Sequence, residues 1–438
     1  MRRLHAILAG IVFALTASFG LTSSDQSLEL RAQLAGAPTQ VYSAAELFRD
    51  LVAASVEPHA KRWDIPAPTG LRPCCALGHN LGVAIGPVPV PVVRLDNILP
   101  PNLFGRHRYN SNLIRLAVHP RNGVGLREQN GLLYTCGGGI VDTAHIRDYA
   151  DLTVYLYSLL EPRLATAQTI ELPEQAGRRL LHLRKIEAPA LTGERRRELA
   201  LALAGWISFQ LSIWHEAASW YGWSSLPMFP ETVSAFSPED LYTNMLGIRL
   251  AFELIGARRV RSQTDYESAM DEAMPRLLAR LGAMPASLSR SVISAIDGQW
   301  WTSSQRLPHR ELLQLRSFET GPVLAPLRVP RRRLQQKLGT YEADYCAAWE
   351  DHPVVLEVPE RSGDVSLSQI VTIEIEPQDD LARAMPSAGD GDARITQHEL
   401  AEVVAAIAQA ERRASADVTQ AAHSGAMTAN AWEVNRTR

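Results

Sequence analysis

The chain has 438 residues, is 46% hydrophobic and 21% charged, and carries a net charge of −3. That length serves one large domain with appendages or two to three of ordinary size, in a composition typical of globular proteins. The near-neutral balance excludes the basic footprint of a nucleic-acid binder, and the RRR runs at 195–197 and 331–333 read as solvated helix faces.

At the N-terminus Arg2 and Arg3 precede the apolar run LHAILAGIVFALTASFGL, and Thr22, Ser23 and Ser24 follow it. A positive segment, an apolar segment and a small-residue zone are the order of a secretory signal peptide. Residues 1–24 are therefore expected to be a signal peptide or an uncleaved anchor, and 25–40 a polar linker. No other stretch has eighteen uninterrupted apolar residues, so the expectation is an exported protein, periplasmic or extracellular, resting near a membrane. In such a compartment the cysteines Cys74, Cys75, Cys136 and Cys346 favour disulfides. Adjacent cysteines strain to bond each other, so Cys74 and Cys75 are expected to pair with Cys136 and Cys346. The competing reading makes CCALGH a metal knuckle of Cys75 and His79.

A helix is expected from 41, where Ser43 and Glu46 have the spacing of a capping box. Residues 64–131 are rich in Pro, Gly and Asn and read as an extended excursion with a short edge strand. From 141 the apolar spacing turns helical, and the run from ERRRELAL to SIWHEAASW is apolar on most faces, hence a core helix. SPEDLYTNM starts another, with Ser237 as N-cap, Pro238 at the first position and Glu239 and Asp240 in the first turn. Further helices are expected at 264–283, 285–297 and 329–350. At 352 the pattern alternates, so HPVVLEVPE and VSLSQIVTIEIEP read as strands. The expected class is mainly α. It comprises a large helical domain at 41–350 with Pro/Gly-rich N-terminal loops, a small C-terminal β appendage at 351–378, and a charged helical or disordered tail at 379–438.

Two segments concentrate chemistry. In CGGGIVDTAHIRDYAD, at 136–151, a helix starting near Asp142 would set Asp142, His145 and Asp148 three apart on one face. An imidazole flanked by carboxylates suits a metal ligand or an oriented base, and the glycines would let backbone approach such a site. The bland alternative has Asp142 as an N-cap, solvated acids and a core histidine. In WHEAASWYGW, at 214–223, His215 and Glu216 interrupt a helix that otherwise rejects charge, which is costly unless they are paired or bind a metal. The segment opens like HExxH, but Ser219 stands where the second histidine belongs, so that motif fails. The expected ligands are Asp142, His145, Asp148 and His215, around zinc or manganese, with Glu216 as the base. Glu239 and Asp240 are most simply first-turn acids, and either would complete the ligand set if their helix start abuts the other two elements. Trp206, Trp214, Trp220 and Trp223 read as core, with WYGWSS as a possible pocket wall.

At 388–399 a degenerate EF-hand-like stretch has Asp390, Asp392 and Glu399 in register. Ala388 replaces the first acidic ligand and Ala393 the glycine, so calcium there would be weak. GxSxG, P-loop and GxGxxG motifs are absent, leaving serine-hydrolase and nucleotide chemistry without support.

GLLYTCGGGIVDTAHIRDYAD, IWHEAASWYGWSS and the following FSPEDLYTNMLGIRLA resemble an uncharacterised family of exported bacterial proteins, over about 60–350. The resemblance implies a bacterial origin and an envelope setting, and brings no activity with it. The functional expectation is an exported metal-dependent hydrolase acting on an envelope peptide, peptidoglycan or lipid. The rival is a non-catalytic envelope protein whose His and acidic residues form a buried polar network.

Overall fold

The computed structural model describes residues 37–55, 64–72, 75–85, 88–111, 128–186, 193–225, 230–385 and 394–423. The signal-like segment, most of the linker, Cys74 and residues 388–393 of the EF-hand-like stretch lie outside them. No helix among the described residues is long and apolar enough to cross a membrane.

At the entry, Ser43 and Glu46 form the expected capping box ahead of α1 (Ala44–Phe48). This helix is shorter than its pattern suggests because Asp50 adopts φ 53°. The Pro/Gly-rich excursion makes a hairpin of β1 (Leu81–Ile85) and β2 (Val88–Leu95). A second hairpin, β3 (Leu132–Thr135) and β4 (Gly139–Asp142), leads directly into α2 (Thr143–Leu160). After β5 (Gln168–Leu172) and β6 (Gly177–Leu183) come α3 (Gly193–Trp220), α4 (Asp240–Gly256), α5 (Gln263–Arg280) and α6 (Ala286–Ala295). The core is built where α2 packs on α3 and α4. Pattern placed these helices because their apolar faces are long and periodic.

The expectation of a mainly α protein is corrected to a mixed α/β fold, 45% helix and 17% strand. The strands β3 and β4 lack the alternation that reveals a half-buried sheet. All residues of β3 and β4 are buried, so both faces carry the same signal. The C-terminal appendage is also corrected. β7 (Val371–Pro377) pairs antiparallel with β6 from Val371↔Leu183 to Pro377↔Gly177. It thus completes a sheet ordered β8–β7–β6–β5, where β8 is Ile395–Thr396. The tail helix, Gln397–His423, docks on the body, because Glu411 pairs with Arg310 and, at 3.1 Å, with Arg316. Within the EF-hand-like stretch, Glu399 accepts from Thr396 N at 2.7 Å, as a helix-start acid does. The single helix expected at 329–350 breaks at Gly339, φ 102°, into α7 (Arg331–Leu338) and α8 (Thr340–Ala343), with a 3-10 turn after them.

The cysteine pairing departs from expectation: Cys136 bonds Cys346, and Cys75 has no disulfide. The glycines after Cys136 belong to this junction and not to an open site. Gly139 has φ +66°, and a Cβ there would stand 2.2 Å from Leu327 O, while one on Gly137 would meet Trp349. Because the bond spans 210 residues, Cys346→Ser is expected to lower unfolding stability by about 2–4 kcal/mol. Denaturant titration checks this, and an unchanged midpoint would show that the hairpin turn is held by packing alone.

Gly247 sets how closely α2 and α4 approach. A Cβ on it would lie 2.3 Å from Ile146 O, the carbonyl next to His145. Gly247→Ala should therefore push the helices apart at a cost of about 1–3 kcal/mol, read as a lower melting temperature. No change in melting would mean that the interface yields freely.

Candidate metal centre

Three helix ends converge. α2 begins after Asp142, which N-caps it by accepting from Ala144 N at 2.7 Å. The last turns of α3 carry His215, Glu216 and Ser219, all buried. α4 begins at Asp240 and not at the expected Pro238, since Pro238 and Glu239 form a turn whose closing bond runs from Asp240 N to Ser237 O at 3.1 Å. Two helix N-termini thus point at one locus, where their dipoles favour negative charge.

Ligand-type atoms of His145, Glu216 and Asp240 all lie within 4.8 Å of one another, and each residue is at most 5% exposed. The carboxylates share a pattern. Glu216 Oε2 accepts from Phe236 N at 2.8 Å, Asp240 Oδ2 from Ser237 N at 2.7 Å, and Glu239 Oε2 from Ser237 Oγ at 2.7 Å. The other oxygen of each, Glu216 Oε1, Asp240 Oδ1 and Glu239 Oε1, is buried with no N–H or hydroxyl donor, and a protonated Asp240 finds its partner in Glu216; His145 Nδ1 is likewise without a hydrogen bond. His145 Nδ1 stands 3.4 Å from Asp240 Oδ1. Ser219 Oγ and both amide atoms of Asn244, one turn along α3 and α4, are unsatisfied too. Buried polar atoms are rarely left unpaired, and so many in one place mark a site made for something else. One oxygen anchored to a loop and one left free is also how outer-shell bonds orient a metal ligand.

Electrostatics agree. Burial pushes the Asp240 carboxyl well up, and the negative Glu216 and Glu239 add to it. Burial likewise raises Glu239, to about 7, and Asp142. Burial alone would lower the His145 imidazole, but Asp142 and Glu216 outweigh it and raise it. The Cys75 thiol is pushed well up by burial, with Asp142 beside it, and Cys75 N donates to Asp142 Oδ2 at 3.3 Å. Crowded acids in low dielectric keep protons unless a cation replaces them. The nitrogen-and-oxygen donor set suits zinc or manganese.

Of the residues singled out in the sequence, His145 and Glu216 come together here. Asp142 borders the group as a cap. Asp148 turns away: its carboxylate takes Arg72 N at 3.0 Å and Arg72 Nη1 at 2.7 Å. His215 lies one step outward, its Nε2 3.9 Å from Glu216 Oε1. Its Nδ1 is 3.4 Å from Gln175 Nε2, and its ring meets Trp223 edge-on at 5.5 Å. Arg179 Nη1 donates to Gln175 Oε1 at 2.8 Å, and a guanidinium only donates. The amide nitrogen must then face His215, whose Nδ1 accepts, leaving the imidazole proton on Nε2 toward Glu216. Asp240 reads from sequence as a first-turn acid that joins the ligand set only if its helix start abuts the other two elements, and it does abut them. The Cys75–His79 knuckle does not form. His79 Nδ1 faces Ser294 Oγ at 3.5 Å.

A cavity of about 190 Å³ has Asp148, Gln175, Arg179 and Trp223 in its wall; it meets His215 only through Gln175 and Trp223, and none of the three ligand residues lines it. Trp214 is core, and its Nε1 donates to Gln175 O at 3.2 Å.

A family model described as "Protein of unknown function (DUF4056)" matches residues 63–330. No curated protein and no solved structure matches the chain.

Proposed function

We propose a function from the site itself, because the chain belongs to this family of proteins of unknown function, matched over residues 63–330, and the family brings none. The reading is a divalent-metal-dependent hydrolase whose ion is held by His145, Glu216 and Asp240. The observation that carries it is the convergence of His145, Glu216 and Asp240, whose ligand-type atoms lie buried within 4.8 Å of one another at the meeting of three helix ends. Glu216 moves from base to ligand in this reading. His215, whose Nε2 faces Glu216 Oε1 at 3.9 Å, becomes the group that positions that carboxylate. A divalent ion there supplies Lewis acidity and a lowered water pKa. The chain's own residues fix the donors through the 236–237 backbone and orient His215 through Gln175. An envelope substrate of the exported protein, whether peptide, peptidoglycan or lipid, is supported by the signal-like N-terminus and by the Cys136–Cys346 bond, which suits an oxidising compartment.

The test is elemental analysis of protein purified without chelator, beside His145→Ala and Asp240→Asn. The expected result is about one zinc or manganese per chain in the wild type and loss in both variants. Absence of metal, with no thermal shift on adding any, overturns the reading. The rival, a non-catalytic envelope protein with a buried polar network, is favoured by how deeply Asp240 lies, at 0% exposure. A stably folded wild type that holds no metal, with Asp240→Asn less stable than it, would select the rival.

A further inference from the structure

Arg179 is a cation in an unusual place. It lies on β6 opposite Leu172 and Ile375, on the strand face shared by Leu181 and Leu183, and is 4% exposed. Its Nη1 binds Gln175 Oε1 at 2.8 Å, its Nε donates to Pro173 O at 2.9 Å, and its Nη2 also reaches that carbonyl. Among the described residues no carboxylate pairs with it. Arg72 shows the contrast, since that buried guanidinium is met by Glu128, Asp148 and Asp151. Burying a guanidinium without a counter-charge is costly. Burial lowers Arg179 to about 10, with the Tyr149 and Tyr155 phenols opposing the shift, so it remains charged at neutral pH.

Three acids share the cavity wall with Arg179, and the two buried ones are engaged elsewhere. Asp148 is held by Arg72, and Asp151 takes Arg72, the Tyr266 hydroxyl at 2.8 Å and Asn110 N at 3.0 Å. Glu174 stands exposed among the lining residues. Arg179 is also tied to the candidate centre: Gln175 bridges it to His215, and Tyr149 lies within electrostatic reach of Arg179, Glu216 and Asp240 alike.

We propose that Arg179 is the docking point for an oxyanion of the substrate, a carboxylate or a phosphoryl group, held in the cavity beside His215. A guanidinium presents a planar fork that matches both groups, and about 190 Å³ accommodates such a fragment of a larger ligand. As a statement about substrate this rests on the metal-centre reading, whereas the anion site itself does not.

Binding is measured by calorimetry on the full chain, at constant ionic strength, with three probes: inorganic phosphate, N-acetylalanine and N-acetylalanine amide. Metal content is recorded on the same samples. The expected result is that phosphate or the free carboxylate binds, the amide does not, and Arg179→Gln weakens binding at least tenfold with metal content unchanged. Preference for phosphate points to a phosphoester substrate, and preference for the carboxylate to a substrate with a free acid terminus. Should Arg179→Gln fail to fold, Arg179→Lys keeps the charge but not the fork, and is expected to bind measurably more weakly than the wild type. Binding equal in the variants, or no binding by either anion, overturns the proposal. Metal without anion binding sinks only this inference, and anion binding without metal sinks only the metal centre.

Discussion

Replacing Arg72 with methionine is expected to cost about 3–5 kcal/mol of folding stability, since it strands buried carboxylates without their cation. The Arg72 side chain is fully buried and pairs with Glu128, with Asp148 at 2.7 Å and with Asp151 at 3.1 Å. It thereby joins the 64–72 segment, the residues after 128 and α2. Burial alone would raise Glu128, but Arg72 and Arg147 outweigh it and hold the carboxyl well below its ordinary value. Asp151 is also lowered, with His107 and Arg72 opposing burial. A depressed carboxyl stabilises the fold above its unfolded pKa, and that stabilisation is lost as pH falls through the folded one. Asp148 runs the other way, raised by burial to about 7 despite Arg72, so protonating it favours the folded state. Once Arg72 is gone all three acids gain from protonation, and the deficit of Arg72→Met should shrink between pH 7 and about 4.5. Denaturant midpoints at the two pH values test this. A deficit independent of pH would mean that the arginine acts through packing and not charge.

The second large effect is a reversal of sign at the candidate centre. Stripping the ion from wild-type protein should remove about 2.7 kcal/mol if it was present at a hundred times its dissociation constant. For a chain of 438 residues that is a fall of roughly 3–4 °C in melting temperature. Asp240→Asn should melt higher than the stripped wild type, because it deletes a buried acid that Glu216 and Glu239 disfavour, while an amide oxygen can still accept from Ser237 N. It should also ignore both chelator and added metal. A structural polar network predicts the opposite: no response to chelator, and a variant less stable than the wild type. The melting order of these samples therefore separates the two readings without knowledge of the substrate.

What the sequence made legible follows the range of its signals. Ser43 with Glu46 is a local signal, and both bonds of that cap form. The long helices were readable because each buries a face of its own. The strand β6 escaped notice because GRRLLHL places two arginines where alternation should begin, and one of them, Arg179, is buried. For the candidate site, His145 and Glu216 stood out as polar residues in apolar surroundings. Asp240 did not, because a first-turn acid is ordinary until the end of α3 is seen against it. Asp148 misled for the converse reason. Its spacing from His145 is right for one face, but Arg72, 76 residues earlier, claims it. The cysteines misled likewise, since spacing says nothing of which sulfur lies near which.

The partnership of β6 with β7 leaves β6 exposed during synthesis. Until Val371–Pro377 arrives, β6 shows a bare edge of backbone donors and acceptors, which is an invitation to stray pairing. At ordinary synthesis rates that interval spans roughly ten to forty seconds. The residues that wall the Arg179 cavity all precede residue 226, so a nascent chain held short of residue 371 would carry both the acid-lined locus and the cavity's lining, with one edge of the Arg179 strand still bare.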